Sequence, residues 1–96
     1  MGLFAIFKRN KRDSSPEARR RRLLAEGRLT DAVICDVETS ENGAQMARFT
    51  YNIQGVDFES SEPLTPEQVQ DISNYAPGSG VLIRYDPRNH YNAVIV

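Results

Sequence analysis

Apolar and polar residues alternate along several stretches of this chain, and a period of two marks a strand with one buried face. From Thr30 to Glu38, Val33, Cys35 and Val37 fall on one side and Asp36 and Glu38 on the other. From Ala44 to Ile53 the apolar set is Ala47, Phe49, Tyr51 and Ile53. Val56 and Phe58 begin a shorter strand that ends in the polar run Glu59-Ser60-Ser61-Glu62. Val81, Ile83 and Tyr85 alternate with Leu82, Arg84 and Asp86, and Tyr91–Val96 supplies a fifth strand. Turn chemistry separates these runs. Asn42-Gly43 is a strong hairpin signal, and Gln54-Gly55 makes the next turn. Pro77-Gly78-Ser79-Gly80 breaks the chain, and Pro87-Arg88-Asn89-His90 joins the last two strands.

Two short helices interrupt the strands. Ser15-Pro16-Glu17 reads as a cap, a first-turn proline and an acid at the positive helix end. This helix should run through Arg19–Arg22 to Ala25, with Gly27 ending it in a left-handed conformation. Leu23 and Leu24 must dock on the body, because four consecutive arginines repel one another. The second helix carries a capping box in Thr65 and Gln68, with Pro66 at its first position and Leu64 and Val69 placed as a hydrophobic staple. Val69 and Ile72 would then face the body.

The order is helix, three strands, helix, two strands. The fold class is mainly β with two short helices, a small five-stranded antiparallel barrel or bent sheet. The order suits an OB-like barrel, an SH3-like barrel or an open meander. Residues 1–14 form an apolar and basic arm, and residues 15–96 a small barrel-like domain with a leading helix. At 96 residues, and with no Trp, the core must be modest and built from Val, Ile, Leu, Phe and Tyr.

The near-neutral net charge hides a segregation. Residues 1–22 carry eight basic residues against two acids, and residues 23–96 carry four arginines against eleven acids. The formal charges of +6 and −7 give the −1 of the whole chain. Arm and body are electrostatic opposites and call for different partners. No apolar run approaches the roughly 20 residues that span a bilayer. The arm places its apolar residues before its charges, the reverse of a signal peptide, and Ile6 stands where a myristoylation motif needs Ser or Thr. A cytoplasmic protein, peripheral to the inner membrane surface, fits these features. Leu3, Phe4, Ile6 and Phe7 would insert into such a surface while Lys8, Arg9, Lys11 and Arg12 face anionic headgroups. Arg19, Arg20, Arg21 and Arg22 are a further candidate contact for a polyanion.

Several positions resemble a bacterial family of unknown function whose members often carry a membrane span beside a small β domain. The resemblance runs through Leu23-Leu24-Ala25-Glu26-Gly27-Arg28, Ala32-Val33, Tyr51, Gly55 and Phe58. It is strongest at Pro77-Gly78, Val81 and Ile83-Arg84-Tyr85-Asp86-Pro87-Arg88-Asn89, and ends at Ala93-Val94. His90 replaces a proline common in the family, and no membrane span accompanies the domain in this sequence. The resemblance implies a β-rich accessory domain and supplies no catalytic residues. Read without it, the same tail is turn chemistry, with Asp86 and Asn89 bonding turn backbone and Pro87 fixing the bend.

Enzymatic chemistry finds little to work with, and the expectation is a protein that is not an enzyme and takes no cofactor or metal. Cys35 lies among residues expected to be buried, whereas a reactive thiol needs an exposed electropositive setting. One cysteine and one histidine, His90, cannot close a zinc site. The acids fall on outer strand faces and in turns. The glycines of Pro77–Gly80 lack the lysine and following helix of a phosphate loop. Three partner classes remain: a protein partner for an accessory module, an anionic membrane surface for the arm, and nucleic acid bound through basic residues. A homo-oligomer built through an exposed edge at Tyr91–Val96 is a further expectation.

Overall fold

In the computed structural model, the described residues are 15–96. They form helix α1 (Pro16–Glu26), strands β1 (Arg28–Thr39), β2 (Gln45–Ile53) and β3 (Val56–Pro63), helix α2 (Pro66–Gln70), a 3₁₀ turn (Ile72–Tyr75), and strands β4 (Gly80–Asp86) and β5 (Asn89–Ile95). All neighbouring strands are antiparallel, in the order β3-β2-β1-β4-β5. The sheet bends until its two edges approach: the Ser60 hydroxyl of β3 donates to the Tyr91 carbonyl of β5 at 2.9 Å, and the Phe58 and Tyr91 rings meet edge to face. The result is a nearly closed five-stranded barrel with two short helices.

The barrel is filled by the inward residues of each strand. Ala32 and Ile34 of β1, Ala47, Phe49, Tyr51 and Ile53 of β2, Ile83 and Tyr85 of β4, and Ala93 and Ile95 of β5 form one buried cluster, closed by Leu64. The Tyr51 ring stacks between Phe49 and Phe58, at centroid separations of 5.8 and 5.9 Å. Its hydroxyl donates to the His90 carbonyl, so the polar end of this buried ring is satisfied. The hairpin between β2 and β3 turns on Gln54 and Gly55, at φ 53° and 87°. Two successive left-handed residues are what the twist of a two-residue hairpin requires.

Three sequence expectations are corrected here. The face assigned to β1 holds only in its second half. Ile34 pairs with Phe49 and Asp36 with Arg48, so Cys35 is an extra residue in a bulge. Before the bulge the even residues Ala32 and Ile34 point inward, and Val33 is 47% exposed. After it Val37 packs against the core, and Cys35 itself is half-buried. The third strand includes the polar run Glu59-Ser60-Ser61-Glu62, as expected, and reaches Pro63. Val69 and Ile72 do not face the body. They are 38% and 43% exposed, while Leu64 and Gln68 are buried. The α2 capping box forms as expected, but Gln68 turns inward because its amide also donates to the Ile95 carbonyl at 3.2 Å. Finally, Gly27 is extended (φ −72°) rather than left-handed. A Cβ there would lie 2.6 Å from the Leu23 carbonyl oxygen and 3.1 Å from that of Tyr85, so close approach rather than handedness demands glycine.

The α1 helix begins as its sequence predicts. Ser15 accepts from the Ala18 amide and Pro16 follows the cap. Of its residues only Leu23 is buried, with Leu24 half-buried. The helix lies against β4 and β5.

Candidate interaction surface

The edge of β5 that does not pair with β4 is the place where this fold concentrates polar contacts. Val96 donates to Leu82, and Val94 lies opposite Arg84. Backbone groups alternate in direction along a strand, so the carbonyls of Tyr91, Ala93 and Ile95 point the other way, toward the barrel seam. Each of the three accepts a side-chain donor. Ser60 donates to Tyr91, Arg19 donates to Ala93 at 3.2 Å, and Arg20 donates to Ile95 at 2.9 Å. An open strand edge is a template for unwanted pairing, and here side chains occupy it.

Arg19 is the hub. Its Nε donates to the Asn92 side chain at 2.6 Å, and one terminal nitrogen lies 2.7 Å from the Glu62 carboxylate on β3. One planar guanidinium therefore ties α1 to both strands that flank the seam. Glu62 is 7% exposed. Burial pushes its carboxyl above the ordinary value, while Arg19 and then Arg20 pull it back down. Alternation along β3 places Phe58, Ser60 and Glu62 on one face, and that signal was available in the sequence. It was hidden because a polar run reads as solvated loop. No comparable signal marks Asn92 or Gln68.

The outer face of the barrel divides in two. Over β1 and β4, Leu29, Val33 and Leu82 stay about half exposed. Val33 stands opposite Gly80, which has no side chain to cover it, and Leu82 stands opposite Asp31. A shallow groove of about 380 Å³ runs along this face. Over β1, β2 and β3, the exposed or half-exposed carboxylates of Asp36, Glu38, Asp57 and Glu59 dominate. Arg48 sits among them, 2.6 Å from Asp36 and 3.5 Å from Glu59. Its guanidinium is held more firmly protonated by the Asp36 hydrogen bond and by both charges.

A cleft of about 250 Å³ opens between the C-terminal half of α1 and the β4–β5 turn, with Arg22, Glu26, Asp86 and Arg88 on its walls. The Asp86 carboxylate accepts the Arg88 amide at 2.8 Å, the turn role expected of it. Cys35 and His90 lie at opposite ends of β4: Cys35 follows Ile34, which bonds to Ser79, and the His90 ring packs against Tyr85. Among the described residues, no cluster of three or more His, Cys, Asp or Glu could hold a metal. Among the same residues, no helix is long and apolar enough to cross a membrane.

Of the sequence-proposed contacts, Leu3, Phe4, Ile6, Phe7, Lys8, Arg9, Lys11 and Arg12 lie outside the described residues. Arg19, Arg20, Arg21 and Arg22 are all on α1. Arg19 and Arg20 are engaged with the barrel, and Arg21 and Arg22 are exposed. Comparison of the chain with protein-family models, with curated proteins and with solved structures finds no match.

Proposed function

We propose that this protein is a non-catalytic accessory module, held at an anionic membrane surface by its basic arm and offering its barrel to a protein partner. The observation that carries the reading is the segregation of charge: +6 over residues 1–22 and −7 over the remainder. Each basic residue close to an anionic bilayer contributes about 1 kcal/mol. The four basic residues at positions 8–12 would therefore give reversible binding, aided by Leu3, Phe4, Ile6 and Phe7. An acidic barrel is repelled by the same surface and is presented away from it. Leu29, Val33 and Leu82 are the side chains best suited to bury against a protein partner.

The alternative is a nucleic-acid-binding barrel. Strand connectivity favours it, since a barrel in which β1 is flanked by β2 and β4, with a helix between β3 and β4, supports an OB-like assignment. OB barrels bind oligonucleotides over the face of their second and third strands. Here that face is acidic and its one arginine is paired. Phe49, Tyr51 and Tyr85 are buried, so they offer no stacking platform.

The test compares the full chain with one starting at Ser14 in cosedimentation with phosphatidylserine-containing vesicles. The reading requires the full chain to pellet and the shortened chain to stay in solution. Equal behaviour of the two would remove the arm from the account. A shift of labelled oligonucleotide at low salt, with no vesicle binding, would favour the alternative.

A further inference from the structure

The arginines of α1 face two claims. Arg19 spends its guanidinium on Glu62, Asn92 and the Ala93 carbonyl, and Arg20 donates to the Ile95 carbonyl. The remaining hold of α1 on the barrel is slight in apolar terms, because Leu23 is its only buried residue. An eleven-residue helix with four adjacent arginines is marginal by itself, so these polar contacts fix its position. The helix is also tied to the arm. Arg12 and Pro16 are four residues apart and cannot lie more than about 14 Å from each other. A membrane that captures residues 8–12 brings the start of α1 within about 14 Å of the captured residues. Guanidinium groups bind phosphate and carboxylate headgroups through the same N–H donors that Arg19 divides among Glu62, Asn92 and the Ala93 carbonyl.

We propose that anionic lipid headgroups and the barrel compete for Arg19 and Arg20, so that membrane engagement lifts α1 from the seam between β3 and β5. This rests on the membrane reading above. Headgroups take the arginines, water takes the Glu62 carboxylate and the Ala93 carbonyl, and the Ile95 carbonyl keeps the Gln68 amide, while the exposure of Leu23 opposes the release. Arg19 and Arg20 are thus a shared contact, closing the barrel in solution and holding lipid at the surface.

Spin labels on the full chain read this directly. Ala25→Cys on α1 and Ser61→Cys on β3, in a Cys35→Ser background, place labels at two exposed positions on either side of the seam. In solution and with phosphatidylcholine vesicles, one narrow distance is expected. With mixed phosphatidylcholine–phosphatidylserine vesicles the distance should change by about 10 Å or broaden across that range, the thickness of a helix. Asn92→Ala supplies a second reading, because it removes an acceptor of Arg19 without altering the charge of arm or helix. It should lower the lipid concentration for half-binding severalfold. Pelleting with an unchanged label distance overturns the competition and leaves the membrane reading intact, as does an Asn92→Ala chain that binds like the parent. Failure of the unlabelled parent chain to pellet overturns both.

Discussion

Arg19 stands 32% exposed at its side chain, yet it makes three different contacts across the seam. Lysine could supply the charge but not the fork: its single ammonium cannot reach Glu62, Asn92 and Ala93 in the same geometry. Arg19→Lys should therefore destabilise the protein by about 1–3 kcal/mol, read as a lower urea midpoint with unchanged slope. An unchanged midpoint would mean that the contacts do not hold the seam. Its partner Glu62 carries a pH signature. Burial, only partly offset by Arg19 and Arg20, holds the Glu62 carboxyl above its ordinary value. Between the ordinary value and the raised one, the folded state keeps a proton that the unfolded chain has released. Stability from this group therefore falls as pH rises through that window. Glu62→Gln does not titrate. Thermal melts across the acidic range should show this fall in the parent and a flatter profile in the variant, and superimposable profiles would remove the effect.

Among elements, β2 was the most legible in sequence. Its four inward residues Ala47, Phe49, Tyr51 and Ile53 keep strict alternation and are all buried. The β1 strand has equally good alternation but misleads, because a bulge at Cys35 moves the inward face by one residue and no local signal announces it. The capping box of α2 was readable from Thr65 and Gln68, whereas its buried side was not. The helix is only five residues long and passes into a 3₁₀ turn, so the periodicity that would place Val69 and Ile72 never becomes established. The joint between α1 and β1 shows the same limit. Gly27 was recognisable as a helix end, but its cause lies in Leu23 and Tyr85, the second of these far away in sequence. Gly27→Ala should cost about 1–3 kcal/mol, because the added methyl meets backbone atoms rather than a yielding side chain. A melting temperature equal to that of the parent would contradict the close packing at this joint.

For the whole molecule, the composition indicated a small β barrel, and the turn residues located its strands well enough to set their number. Closure was not legible. It draws on Ser60, Glu62 and Asn92, polar residues that look like surface positions until β3 and β5 are brought together. The candidate contacts divide in the same way. The charge of the arm and of Arg19–Arg22 is plain in the sequence, but the engagement of Arg19 and Arg20 with the barrel emerges only from the fold. The division between a basic leader and an acidic barrel is the property on which the functional account stands. The measurement that tests it most directly is binding of the intact chain to anionic and to neutral vesicles across a series of salt concentrations. The account predicts binding to anionic vesicles alone, weakening steadily as salt is raised through about 0.15 M and beyond, where charges are screened within about 8 Å. Binding that ignores lipid charge, or that survives high salt undiminished, would contradict it.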